Sequence, residues 1–283
     1  MKTIKVKTPA KINLTLEVLN KREDGFHNIQ SIMHAISLYD YLTVFVRESE
    51  GTQIALSGSS AEIPYDEKNI VYKAAVKFLD MAKIKDVSID IFIEKNIPVA
   101  AGLAGGSTNA SGTFYALNKI FDNLLTDSQI HALCASLGSD LNFCLDGGCA
   151  VCTSRGEVIE KIPYYELDVS LVKPSGFGIS AKEAYTKFAQ MEDKSVPNNT
   201  QKLRKLLENN TFDNSLLYNN LETAVLNDYE ELLEIKNKLP NAMMSGSGPT
   251  CFVLDSKINA EFDCSRFITI EGLKTISGGV SEV

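Results

Sequence analysis

From Val87 to Glu94 the chain alternates, with Val87, Ile89, Ile91 and Ile93 on one side and Ser88, Asp90, Phe92 and Glu94 on the other. A period of two predicts a strand. Residues 2–18 alternate too (Leu14, Leu16, Val18), and Pro9 predicts a break into two short strands near Thr8–Lys11, since proline cannot donate to a ladder. That break would place Lys11 and Asn13 at a bend. Strands are expected at 41–47 and 52–57. The spacing Ile70, Ala74, Phe78, Leu79, Ala82 predicts a helix over 69–83, with Asn69 or Asp66 as its cap. Thr126 and Gln129 form a capping box for another helix, which Gly138 would end in a left-handed conformation. Past Gly156 the pattern predicts strands at 157–162 and 167–173, then helices at 180–191, 200–209 and 221–238, with a polar loop at 192–200. The change of pattern places a domain boundary near 155.

Between the strand at 87–94 and a helix carrying Phe114, Leu117, Ile120 and Phe121 lies PVAAGLAGGSTNA, Pro98–Ala110. The order strand, glycine-rich loop, helix start is that of an anion site. Glycine lets the backbone approach a ligand, and the first turn of a helix presents unpaired N–H groups. No lysine follows the glycines and no G-x-G-x-x-G is present, so the two commonest phosphate motifs are absent, and a tight turn built for close packing is the alternative. A second glycine-rich loop, Gly246-Ser247-Gly248-Pro249-Thr250, leads into a strand; its N–H and hydroxyl groups could also meet phosphate oxygens.

Composition narrows the classes. Of 283 residues, 44% are hydrophobic and 23% charged, as in ordinary globular proteins. No apolar run nears the ~20 residues that span a bilayer, and the N-terminus lacks the pattern of a signal peptide, so a soluble cytoplasmic protein is expected. A net charge of -8 argues against nucleic acid as partner. The six cysteines, Cys134, Cys144, Cys149, Cys152, Cys251 and Cys264, are expected to be reduced packing residues. Cys149 and Cys152 spell CxxC, but on a strand they would point to opposite faces. His27 follows the turn Asp24-Gly25 and reads equally as an exposed loop histidine. Asp140 follows the cap at Gly138 and reads most simply as a helix N-cap. His131 reads as a surface or packing residue.

TPAKINLTLEV, PVAAGLAGGSTNA and MSGSGPTCFV stand in the order of the three motifs of the GHMP kinases, the superfamily of galactokinase, homoserine kinase and mevalonate kinase, which the chain resembles from residue 8 to about 253. The opening AKINL, DGFH (Asp24–His27) and LGSD (Leu137–Asp140) are most similar to the branch acting on a cytidyl-diphosphate methylerythritol in non-mevalonate isoprenoid biosynthesis. The resemblance implies a two-domain α+β fold, with residues 1–155 like ribosomal S5 domain 2 and residues 156–283 like the GHMP kinase C-terminal domain. It implies ATP bound along Pro98, Val99, Ala100, Ala101, Gly102, Leu103, Ala104, Gly105, Gly106, Ser107 and Thr108, with Mg²⁺ held by the phosphates and water rather than by protein ligands. Asp140 would accept or orient the substrate hydroxyl proton, and Lys11 would keep Asp140 ionised and help neutralise developing charge. Asn13, Phe26, His27 and Tyr185 would bind the cytidyl substrate, Phe26 standing where tyrosine is common. Asn142 replaces a usual proline and would loosen the loop carrying Asp140. Alanines 100, 101 and 104 replace glycines of some members, which negative φ would permit. No membrane or nucleic-acid partner is implied, and the expected state is a monomer or weak homodimer. Another alcohol kinase of this fold, a nucleotide sensor and an RNA-binding module remain alternatives.

Overall fold

A computed structural model describes residues Met1–Val283. The first half runs β1 (Lys2–Lys21), β2 (His27–Glu48), β3 (Gln53–Gly58), α1 (Ile70–Ala82), β4 (Val87–Glu94), α2 (Gly105–Ile120), α3 (Asp127–Leu137), α4 (Leu141–Asp146), β5 (Cys149–Ser154) and β6 (Val158–Ile162). The remainder runs β7 (Asp168–Pro174), α5 (Ala181–Gln190), α6 (Asn199–Glu208), β8 (Tyr218–Asn219), α7 (Asn220–Val225), α8 (Glu230–Lys238), β9 (Met243–Met244), β10 (Cys251–Val253), β11 (Phe267–Lys274) and β12 (Ser281–Glu282). One sheet has the order β12-β1-β2-β4-β3, with β5 also on β2, β6 on β5 and β8 on β1. The other has the order β11-β7-β10-β9. No helix is long and apolar enough to cross a membrane.

β1 and β2 form an antiparallel hairpin that organises both halves. The far end of β2 (41–48) pairs with β4, and its near end (29–34) pairs with β5. β1 is one continuous strand, not two. At Pro9 the pairing slips by two residues on β2 instead (Pro9↔Tyr39, then Ala10↔Ile36), which bends the ribbon without ending it. A second irregularity lies between Asn13 and Thr15.

Phe78, Ile89, Phe114 and Leu117 fill the core between the first sheet and α1 to α3. Ile12, Leu14 and Ile32 meet Leu171, Leu203 and Phe252 in a core shared by the two sheets. Leu16 and Val18 continue into a third core with Phe188, Leu221 and Phe267. Charge makes one further joint. Glu17, fully buried on β1, accepts the Asn199 and Thr200 N–H groups at the start of α6, at 2.7 and 3.4 Å, and the Gln30 amide at 2.8 Å. A carboxylate there meets the unpaired donors and positive end of the helix.

Local signals hold at several boundaries. Asn69 caps α1 by accepting from Val71 N, and the Thr126–Gln129 box is formed. Elsewhere packing overrides them. Gly138 is extended rather than left-handed; a Cβ there would lie 2.7 Å from Leu141 Cδ1, so it serves a close approach. The expected helix at 221–238 is two helices, α7 and α8, because Tyr229 turns extended. Its ring stacks on Phe177 at 5.2 Å and its hydroxyl donates to Glu183. Five cysteines are buried and unbonded, with Cys149 and Cys152 in different cores; Cys264 is exposed and is not a packing residue.

The segment between β4 and α2 departs from expectation in backbone. Ala100 and Ala104 have φ of 50° and 60°, and Gly102 has 74°. Two alanines therefore hold the left-handed conformation in which a Cβ costs about 1–2 kcal/mol. Ala104→Gly relieves that strain while freeing the unfolded chain by about 0.4–1 kcal/mol, so a gain of up to ~1.6 kcal/mol is expected in denaturant melts. Ala101→Gly, at a buried position outside the left-handed set, is expected to destabilise.

His34 is fully buried on β2, with its ring nitrogens 3.2 and 3.1 Å from the Ala35 and Tyr165 carbonyls. Burial pushes its pKa down to about 4, against the opposing pull of those carbonyls. The unfolded chain therefore takes up a proton near pH 6.5 that the folded chain refuses until about pH 4. Stability is expected to fall through that window as pH drops, at up to ~1.4 kcal/mol per pH unit from this group, and to be flat on either side. Melts of His34→Gln across pH 4–7 should lose that slope.

Candidate active site

A cavity of about 1090 Å³ is lined by β1, the β1–β2 turn, the entries to α1, α2 and α4, the helix α5 and the second glycine loop. Its middle wall is the glycine-rich segment: Pro98, Val99, Ala100, Ala101, Gly102, Ala104, Gly105, Gly106 and Ser107 all line it. α2 begins at Gly105, so both glycines and Ser107 belong to its first turn, where the N–H groups have no helical partner; the first ladder bond is Thr108 N to Ala104 O at 2.9 Å. Alternating left-handed residues ahead of a helix start aim successive amides into one concavity suited to an anion. Leu103 does not face the cavity but packs into the shared core. Thr108 is also fully buried, with its hydroxyl unpaired.

The second glycine loop is the scaffold of the first. A Cβ on Gly102 would lie 2.1 Å from the Ser245 carbonyl, so no other residue fits, and Ser245 Oγ donates to the Gly102 carbonyl at 3.0 Å. Asn219 Nδ2 donates to the Met244 and Gly246 carbonyls at 2.7 and 2.9 Å, fixing the loop from behind. Gly246 and Ser247 reach the cavity, but Ser245 and Ser247 hydroxyls are engaged with protein carbonyls, the latter with Ile179 at 3.4 Å.

A buried hub below the segment was missed from sequence. Asp40 has no solvent exposure; it receives Asn96 N at 2.7 Å, Ile97 N at 2.8 Å, Asn109 Nδ2 at 2.9 Å and the Lys95 ammonium. Lys95 also donates to Asn109 Oδ1 at 3.2 Å and lines the cavity. One carboxylate thereby fixes where the loop leaves β4 and where α2 sits. Its only sequence signal is a lone acid between Tyr39 and Tyr41 in an otherwise strand-like run.

Lys11 and Asp140 meet on one side of this loop. Lys11 is buried, its N–H bonded to the Leu103 carbonyl at 3.2 Å and its Nζ donating to Asn13 Oδ1 at 2.6 Å. Asn13 Nδ2 donates to Ser31 Oγ at 2.8 Å, which fixes the amide orientation. Lys11 Nζ lies 3.8 Å from Asp140 Oδ2. Asp140 occupies the N-cap position of α4, yet its side chain makes no capping bond, so the simple capping role fails and the partly exposed carboxylate is left to Lys11 and the cavity. Asn142 does not loosen this region. Its Nδ2 donates to the Glu157 carbonyl at 2.9 Å and ties α4 to the β5–β6 turn, although its Oδ1 is unpaired.

At one end of the cavity stand Phe26, His27 and Tyr185. His27 is half-buried and stacked on Tyr185, with ring centroids 5.4 Å apart and planes 15° from parallel. A third ring does not fit between them, since two stacking contacts need about twice ~3.5 Å. Burial, followed by the charges of Lys21 and Lys194, lowers the His27 pKa and favours the neutral imidazole, which both donates and accepts. Burial and then the Asp140 charge raise the Tyr185 pKa, keeping its hydroxyl protonated. Phe26 is 52% exposed on the β1–β2 turn. Ile63, Pro64, Lys68, Asn69, Ile70 and Val71 also line the cavity and were missed; they belong to the entry and first turn of α1, which sequence reading treated only as a capped helix. His131, away from the cavity, bonds Asp146 Oδ1 at 3.1 Å.

Residues 69–150 match the GHMP kinases N terminal domain. A 4-diphosphocytidyl-2-C-methyl-D-erythritol kinase of Prochlorococcus marinus subsp. pastoris is 40% identical over 275 residues, covering 90% of this chain and 86% of its own. One from Clostridium perfringens is 36% identical over 266 residues, covering 91% of each. Among solved structures, a 4-(cytidine 5'-diphospho)-2C-methyl-D-erythritol kinase superposes with a TM-score of 0.70 at 27% identity, over 89% of this chain and 90% of its own. Homoserine kinase from Cytophaga hutchinsonii superposes at 0.79 over 100% of this chain and 98% of its own, but at 19% identity, which speaks for the fold alone. The fold is therefore that of the GHMP kinases, as the order of the three motifs implied, and within that superfamily the chain belongs to the 4-diphosphocytidyl-2-C-methyl-D-erythritol kinase family.

Proposed function

We propose that the chain transfers the γ-phosphoryl group of ATP to the 2-hydroxyl of 4-diphosphocytidyl-2-C-methyl-D-erythritol, a step of non-mevalonate isoprenoid biosynthesis. The observation that carries this reading is that Lys11 and Asp140, 3.8 Å apart, share one cavity with the glycine-rich helix start and with the aromatic group of Phe26, His27 and Tyr185. Phosphoryl transfer needs mainly positioning and charge. The amides at the start of α2 hold the nucleotide phosphates. The α1 wall, with Ile63 and Ile70, suits the adenosine. Asp140 orients the hydroxyl and accepts its proton, while Lys11 offsets charge on the transferring oxygens. Asn13 holds the Lys11 ammonium on that line. At the other end Phe26 and Tyr185 offer aromatic faces to the cytosine, and the neutral His27 edge offers a hydrogen bond.

The hard-oxygen donors Ser107 and Asp140 line the same cavity. That set fits Mg²⁺ held chiefly by phosphate oxygens and water beside Ser107. When bound, the ion supplies neutralisation of phosphate charge. The division into an ATP-binding unit and a second unit belongs to the same reading, with the boundary after β6 rather than at 155, because β5 and β6 pair across that turn in the first sheet. So do a cytoplasmic location, small-molecule partners only, and a monomer or weak homodimer.

The test is ATP-dependent ADP release with the cytidyl substrate beside homoserine, mevalonate and no acceptor. Turnover with the cytidyl substrate alone is expected; equal or faster turnover with another alcohol would overturn the substrate assignment. Asp140→Asn should lower kcat by ~10²–10⁴ with ATP binding retained, and wild-type turnover would remove Asp140 from its role. His27→Ala should raise KM for the cytidyl substrate ~10-fold or more, the worth of a buried hydrogen bond.

A further inference from the structure

The β5–β6 turn touches both ends of the acceptor side of the cavity. Arg155 stands at its tip, between Ser154 and Gly156, which both have positive φ (62° and 116°). Its guanidinium carbon lies 5.1 Å from the centre of the Phe26 ring, over the ring face, and its side chain lines the cavity. Glu157 fixes it from behind. One Glu157 oxygen accepts Arg155 N at 2.8 Å, the other lies 3.5 Å from Arg155 Nε, and Arg155 Nη2 donates to the Ala135 carbonyl at 3.4 Å. The loop carrying Phe26 is tied to the same turn, since Arg22 Nη1 donates to Ser154 Oγ at 2.9 Å while Arg22 Nε binds Asp24, whose Oδ1 accepts Phe26 N. On its other side the turn holds α4: Asn142 donates to the Glu157 carbonyl, and a Cβ on Gly156 would lie 3.6 Å from Ser139 Cβ, beside Asp140.

Phe26 needs such support. It is half-exposed on a turn, its backbone held by Asp24 Oδ1 and by Arg22 N, which donates to the Phe26 carbonyl at 2.7 Å. Nothing in those bonds fixes the ring plane. A guanidinium held on two sides over the ring face favours one ring orientation, because a cation over an aromatic face is attracted by the ring quadrupole.

We propose that Arg155 is a positioning residue for recognition of the cytidyl group: it holds the Phe26 ring at the angle that presents its free side to the base, from a turn that also carries the helix of Asp140. The proposal rests on the reading of Phe26 as a base-stacking residue. It makes Arg155 act through Phe26 rather than through contact with the substrate diphosphate, and it explains why Arg155 is braced by Glu157 and Ala135 instead of being left free to follow an anion.

A double-mutant cycle on the full-length enzyme tests it. Arg155→Met keeps the stem and removes the planar charge. It is expected to raise KM for the cytidyl substrate about 3- to 10-fold, the worth of a cation–π contact, with KM for ATP unchanged and kcat within about twofold. In a Phe26→Ala background the same substitution should have no further effect on KM. A full additional loss in that background would overturn the proposal and point to direct contact with the diphosphate, and an unchanged KM in the single variant would overturn it as well. If Phe26→Ala alone leaves KM for the cytidyl substrate unchanged, the stacking reading of Phe26 fails first and the proposal with it. Should Arg155→Met not fold, Arg155→Lys carries the same cycle, since an ammonium cannot span both the ring face and the Ala135 carbonyl.

Discussion

Asp40 places a carboxylate wholly out of solvent, and the four protein donors around it are what make that arrangement tolerable. A buried carboxylate without partners would cost several kcal/mol; here Lys95, Asn109 and the backbone N–H groups of Asn96 and Ile97 all converge on it. Those donors come from three places: the end of β4, the exit into the glycine-rich segment, and the second turn of α2. Because none of them can move without leaving a buried group unpaired, the glycine-rich segment starts from a fixed point. The strained backbone at Ala100 and Ala104 is held between that point and the α2 ladder.

The far side of the loop is fixed by sequence-distant backbone. Gly102 and Ser245 lie so close that a side chain on Gly102 is excluded, and Asn219 holds the second loop from a strand that itself pairs with β1. β1 closes the circle. Its Lys11 amide bonds the Leu103 carbonyl, its Lys11 ammonium faces Asp140, and its Glu17 captures the start of α6. The Pro9 irregularity bends β1 just ahead of Lys11, so a feature that reads locally as a strand break works as a means of aiming side chains into the cleft.

What was legible in the sequence was local. Asn69 and Thr126 cap as read, the strand at 87–94 alternates as read, and strand, glycine loop and helix follow one another in the expected order. The motif residues Lys11, Asn13, Phe26, His27, Asp140 and Tyr185 all line one cavity with most of the glycine segment. What was not legible depends on partners far along the chain. Asp40 gave no motif because its donors lie 55 to 69 residues away. The left-handed alanines, the extended Gly138 and the break at Tyr229 are each imposed by packing that outweighs local preference. Arg155 and the α1 wall escaped for the same reason: neither carries a pattern of its own, and each reaches the cleft only through the folded β-turn or helix start that bears it. Asn142 drew attention as a departure from a familiar motif, but its effect could be judged only once its bond to the Glu157 carbonyl was seen.

The central claim is that this cleft moves one phosphoryl group onto an alcohol of a cytidyl-diphosphate substrate and leaves the diphosphate link intact. Phosphorus NMR of the reaction with ATP and 4-diphosphocytidyl-2-C-methyl-D-erythritol tests it most directly. The account predicts one new phosphomonoester resonance appearing in step with ADP, while the two diphosphate resonances of the substrate persist. ADP accompanied only by inorganic phosphate, or loss of the diphosphate signals with release of a cytidine monophosphate, would contradict it.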